Sequence, residues 1–280
     1  MDLRDQKYYK RHNFQAQPMT ETEVNEAYRR RFRTYQEVDD YLQMLKKDPH
    51  PQKCGLWGRI ITIPTVMERR LIETHDKDKL SWLNPDSFDP QPSNLNIIPF
   101  NHFIPSKDYI PGYPMPNARG VICQKQTSNY FPFYLEIHRN GCIEYGRDFS
   151  APLLDPNTKQ TVSALSSAQF CLALIHTLQF ANEVYSRYNY FGDVKLMVIL
   201  KQRNAIWLQL LNSSKDLVTS HEDHILVTRE FPITVLEDEY SWIAASIMHE
   251  IFNHFGVWRC DFFDEKGNYL TNVLSKGIRE

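Results

Sequence analysis

The stretch FYLEIHRNGCIEYG, Phe133 to Gly146, decides how this chain is to be folded. Phe133 to His138 has the composition of a strand, Arg139-Asn140-Gly141 that of a turn, and Cys142 to Tyr145 that of a returning antiparallel strand. Asn-Gly supplies the positive φ values of a type I′ turn, so a tight hairpin is expected. Val121 to Gln124 adds a strand before it. Asp193 to Leu200 (DVKLMVIL) and Ala205 to Leu211 (AIWLQLL) add two after it, around Arg203-Asn204, and Val257 to Phe263 a last one. Two long helices lie between: Val162 to Tyr190, with Phe170, Leu174, Leu178, Ala181 and Tyr185 on one side, and Glu237 to Phe255, ending at Gly256. Strands in a meander with helices interspersed give an α+β fold, a mixed or antiparallel sheet with long packed helices, over residues 117–280.

The N-terminal part is smaller, with strand and helix signals over residues 1–48. KYYKRHNF, from Lys7, alternates like an edge strand, and Thr20-x-x-Glu23 is a capping box opening a helix with Val24, Tyr28, Phe32 and Tyr35 on one face. A second box, Thr34-x-x-Glu37, carries the helix on through Val38, Tyr41, Leu42 and Leu45. Asp48-Pro49-His50-Pro51 ends it. Residues 49–116 form a connecting region with short strands: Trp57 to Thr65 (WGRIITIPT), then a stretch from Asn84 to Pro116 so dense in proline that helix is forbidden and extended, packed segments are expected.

Composition narrows the classes. With 42% apolar and 24% charged residues the chain can bury a core and is not of disordered composition. A net charge of −2 leaves nucleic-acid or lipid binding to a local patch. No apolar run approaches the ~20 residues of a membrane span, and the first residues carry no apolar signal segment. Five scattered cysteines without a C-x-x-C pair fit reduced thiols, and a cytoplasmic location is expected.

Chemistry is hard to place. His249-Glu250-x-x-Asn253-His254 approaches a zinc-protease signature, but five steps along a helix set the second histidine ~140° from the first, and Asn253 stands where a ligand belongs. His221-Glu222-Asp223-His224 has ligand types without a nominated third partner. Phosphate-loop, dinucleotide and nucleophile-elbow motifs are absent. No catalytic residue, metal ligand or cofactor is therefore assigned. The basic and aromatic N-terminal segment is the remaining candidate. Lys7, Tyr9, Lys10 and Arg11, with Arg29, Arg30, Arg31 and Arg33, could bind phosphates and stack bases, although Glu21, Glu23, Glu26, Glu37, Asp39 and Asp40 interleave with them.

KYYKRHNFQAQPMTETEV, Lys7 to Val24, resembles the closing segment of the Schlafen AlbA-type domain, a bacterial family assigned ATP binding and a proposed DNA-binding role. Tyr8, Tyr9, Arg11, Pro18 and Met19 stand at its matching positions, and the Phe133–Gly146 hairpin is similar to one that often follows such domains. The family's nucleotide-contacting strand (E-F-K) and turn (N-x-x-G-G) would lie before Tyr8, so no catalytic role transfers. The resemblance implies the C-terminal portion of such a protein, either a truncated product or a separate subunit. Its role would be non-catalytic interaction, sensing or regulation, in defence or transcription. Its partner would be another protein or an upstream domain supplying the nucleotide-binding sheet, with nucleic acid possible and no membrane. Two alternatives stand beside it: nucleic-acid binding by the basic N-terminal segment, and a metal-dependent hydrolase or nuclease centred on His221, His224, His249 and His254.

Overall fold

The computed structural model describes residues 9–12, 15–18, 20, 22, 26, 36–45, 55–66, 71–73, 115–124, 133–155, 157–202, 206–209, 217–220 and 222–270. Among them the chain is α+β, built on a seven-stranded sheet. Its strands are β3 (Leu56–Pro64), β4 (Met115–Pro116), β5 (Gly120–Gln124), β6 (Phe133–His138), β7 (Ile143–Asp148), β10 (Asp193–Gln202) and β13 (His224–Pro232). The order is β13-β10-β3-β7-β6-β5-β4, and every neighbouring pair is antiparallel. A four-stranded sheet, in the order β12 (Leu217–Thr219), β11 (Trp207–Gln209), β9 (Thr161–Leu165) and β8 (Ser150–Leu154), packs beside it. Two further strands, β1 (Tyr9–His12) and β2 (Gln15–Pro18), pair only with each other.

Both faces of the large sheet are covered. Helices α2 (Ser167–Arg187) and α3 (Ile233–Asn253) lie on one face, and α1 (residues 36–45) lies on the other. The period-two alternation of the strands sorts side chains between the two. Ile60, Val194, Leu196, Val198, Ile137, Ile143 and Tyr145 join α2 and α3 in the main core, whereas Ile61, Ile63, Met197, Ile199 and Cys142 meet Val38, Leu42 and Leu45 of α1. In α2, Phe170, Leu174, Leu178, Ala181 and Tyr185 are all buried, as their three- and four-residue spacing requires. Complete burial of one such Phe or Leu is worth about 1.5–3 kcal/mol.

Several boundaries differ from those read in the sequence. Residues 162–165, expected to be helical, belong to strand β9, because β8 and β11 supply hydrogen-bonding partners on either side. Helix α3 starts earlier than expected, immediately after Pro232, and is kinked at Glu239. It ends at Asn253, two residues short of the expected Phe255, and the turn that follows closes at Gly256, whose φ of +73° allows Val257 N–H to reach Phe252 O at 3.1 Å. Residues 257–263 form no ladder strand. A turn replaces it, organised by Asp264 and closed by a single bridge between Phe263 and Tyr269.

The Arg139-Asn140-Gly141 turn also differs. Only Gly141 has positive φ, at +90°, so the turn is not type I′. Gly141 N–H donates to His138 O at 3.0 Å, and His138 N–H donates to Cys142 O at 2.7 Å. That makes a three-residue loop ending in a glycine bulge, and it sets Glu136 opposite Glu144. Of the helix expected from the Thr20 capping box to Tyr35, positions 22 and 26 are helical, and the rest apart from Thr20 lies outside the described residues. The proline-dense stretch is described only from Met115 on.

Candidate functional site

The α1-facing side of the sheet carries a buried polar cluster. Glu136 and His138 are two residues apart on β6 and therefore share a face, and the hairpin register places Glu144 of β7 directly across from Glu136. All three are buried. Their ligand-capable atoms lie within 4.8 Å of one another, the one such grouping of three His, Cys, Asp or Glu residues among the described residues. Arg59, on the same face of β3, donates through Nε to Glu144 Oε1 at 2.7 Å and through Nη1 to Leu45 O of α1 at 2.6 Å. The Tyr134 hydroxyl donates to the same Glu144 oxygen.

Each acid and the histidine has a dedicated support. Asn117 Nδ2 donates to Glu136 Oε1 at 2.7 Å, while Asn117 Oδ1 accepts from the N–H groups of Arg119 and Gly120, which fixes the amide's orientation. The Tyr41 hydroxyl meets His138 Nδ1 and stands edge-on to its ring. Tyr134 lies over Gly146, where a Cβ would collide with its ring, and stacks on Trp57 at 6.0 Å between centroids. Glycine at 146 is thus the room that Tyr134 needs to reach Glu144.

The electrostatics follow from this packing. Burial pushes the Glu136 carboxyl up, but His138, the Asn117 amide and the charge of Arg119 outweigh it and hold the group below the usual carboxylate value. For Tyr134, burial and the Glu144 charge raise the phenol well above its ordinary value against the opposing pull of Arg59. Burial likewise raises Tyr41 and, with the two nearby carboxylates, the Cys142 thiol. Phenols and thiol stay protonated at neutral pH. Glu136 is thus held as an anion beside His138 and Arg119, and Glu144 pairs with Arg59.

The residues singled out in the sequence are only partly described. Lys7, Arg29, Arg30, Arg31, Arg33 and His221 lie outside the described residues. Tyr9, Lys10 and Arg11 stand on β1. The remaining histidines of the proposed hydrolase centre each take a different partner. His224 meets Asp223 at 2.9 Å, His254 meets Glu222 at 3.2 Å, and His249 Nδ1 accepts the Cys260 N–H at 3.1 Å. Burial, with Arg259 nearby, lowers the His249 pKa. His249 also lines an open cleft of about 740 Å³ with Arg229, Trp242, Trp258 and Arg259. Both arginines there are paired, Arg229 with Glu250 and Arg259 with Glu265.

Sequence reading passed over Glu136, His138 and Glu144. The signal was present in E-x-H on one strand and a glutamate on its hairpin partner, but their convergence depends on the turn's register. Among the described residues no helix is long and apolar enough to cross a membrane. Comparison with protein-family models, curated proteins and solved structures finds no match for this chain.

Proposed function

We propose that this chain is a non-catalytic interaction and regulatory module that docks through its N-terminal hairpin onto the sheet of an AlbA-type nucleotide- or nucleic-acid-binding domain. One observation carries the reading: β1 pairs with β2 and, among the described residues, with no other strand. A two-stranded ribbon is marginally stable by itself, and its outer edges present unpaired N–H and C=O groups that template pairing with another sheet. Such strand addition draws affinity from main-chain hydrogen bonds and specificity from alternate side chains. The resemblance of Tyr8, Tyr9, Arg11, Pro18 and Met19 to the end of an AlbA-type domain names the kind of sheet that would receive it. Defence and transcription control are the settings in which such a module would act.

The test is association of the purified chain with a separately purified AlbA-type domain, followed by backbone hydrogen exchange. Protection should appear at residues 9–18, and removal of residues 7–14 should abolish binding while leaving the melting temperature of the remaining fold unchanged. Equal binding by the truncated protein would refute strand docking.

A further inference from the structure

The cluster on β6 and β7 rests on a different observation from the hairpin and stands independently of the reading above. Three side chains of metal-ligating type converge there, and each is secured at one atom by a neighbour. Glu136 Oε1 is held by Asn117, His138 Nδ1 by Tyr41, and Glu144 Oε1 by Arg59 and Tyr134. This is how an outer shell orients metal ligands, with the supporting contact on one atom of each group and the other atom facing the ion. His138 supplies the second, independent observation. Its side chain is 1% exposed, and its Nε2 is buried without a hydrogen bond, 3.4 Å from Glu136 Oε2. A buried imidazole nitrogen held only by a long ion-pair contact, with no hydrogen bond, is costly. A cation among the three would give that nitrogen a partner.

We propose that Glu136, His138 and Glu144 bind one divalent transition-metal ion. One imidazole with two carboxylates suits zinc, manganese or ferrous iron, and the imidazole disfavours calcium and magnesium, which take oxygen ligands. Burial of all three ligands shields the site from a large substrate, and three protein ligands leave one position of a four-coordinate ion to water. Its effect would fall on α1, because Tyr41 of that helix holds His138, and Arg59, bound to Glu144, also grips Leu45 O. The two carboxylates offset the ion, and Arg59 stays hydrogen-bonded to Glu144 and to that carbonyl. The ion would thereby fasten α1 to the sheet.

The experiment uses the full chain, stripped with a chelator and titrated with Zn²⁺ or Mn²⁺ alone. One equivalent should bind, with a rise in melting temperature of about 5–10 °C at a hundredfold excess over Kd. Glu136→Gln and His138→Gln should each abolish that rise. A readout on the unaltered protein guards against variants that fail to fold: zinc should shift the ¹⁵N resonance of His138 Nε2, leaving those of His224 and His254 in place. Less than a tenth of an equivalent bound, an unmoved His138 resonance, or undiminished binding by both folded variants would overturn the proposal and leave the cluster a buried ion network only.

Discussion

The two faces of the seven-stranded sheet solve the same problem with different chemistry. Toward α2 and α3 the strands present Ile60, Val194, Val198, Leu135 and Tyr145, and the cover is almost wholly apolar. Toward α1 the apolar patch around Val38, Leu42, Ile61 and Met197 adjoins a patch of buried ions: Arg59, Glu136 and Glu144, with His138 among them. An apolar interface is tolerant, since volume and pattern suffice to close it. A buried polar one is demanding, because every charge left without its partner carries a desolvation cost. The first face holds the fold together, while the second specifies how a single short helix must sit.

This contrast makes quantitative predictions. On the apolar face, Phe170 is fully buried and edge-on to Phe149 at 5.0 Å. Phe170→Ala should cost about 4 kcal/mol in urea unfolding, and no second substitution across the sheet should restore it. On the polar face, Arg59→Met should cost about 3 kcal/mol by removing the guanidinium paired with buried Glu144, and here Glu144→Leu in the same chain should recover most of the loss. Recovery by the pair would demonstrate that the deficit comes from an unmatched charge, and an additive double variant would contradict it.

The smallest effect is expected away from both faces, in the turn organised by Asp264. The Asn268 side-chain amide donates to its carboxylate, the backbone N–H groups of Asn268 and Lys266 do the same, and these bonds hold its pKa below the ordinary value. A carboxyl with a depressed folded-state pKa contributes stability above its unfolded value, and loses it as pH falls through the folded one. Asp264→Asn should therefore melt slightly below the unaltered chain at pH 7, and the two curves should converge as pH drops below about 4. A gap that persists into acid would assign the effect to geometry instead of charge.

Much of this architecture could be read from residues alone. DVKLMVIL, WGRIITIPT and FYLEIH are strands because branched and aromatic residues run without helix spacing, and α2 announces itself through Phe170, Leu174, Leu178 and Tyr185. The polar cluster could not be read, and one turn explains why. A type I′ turn centred on Asn140-Gly141 would pair Ile137 with Glu144 and send that glutamate to the face opposite Glu136. The bulge at Gly141 shifts pairing by one residue, and both acids land together. Partners for β9, which turned four expected helical residues into strand, come from β8 and β11, and no local signal near Val162 discloses them. Arg59 meets Glu144 across 85 positions, a distance over which pattern is silent.

The position of β3 has a consequence for how the molecule is made. This strand, buried at all nine positions, sits between β7 and β10, and its end is tied to Asp193 across 128 residues of chain. At ribosomal speeds of about 5–20 residues per second, roughly 6–25 s pass between synthesis of its last residue and arrival of its partner. Throughout that interval the edge of this nine-residue buried strand that β10 will take stays open, and until β7 is made so does the other. The nascent polypeptide is thus most vulnerable to aggregation midway through translation, and chaperone capture should peak before β10 leaves the exit tunnel.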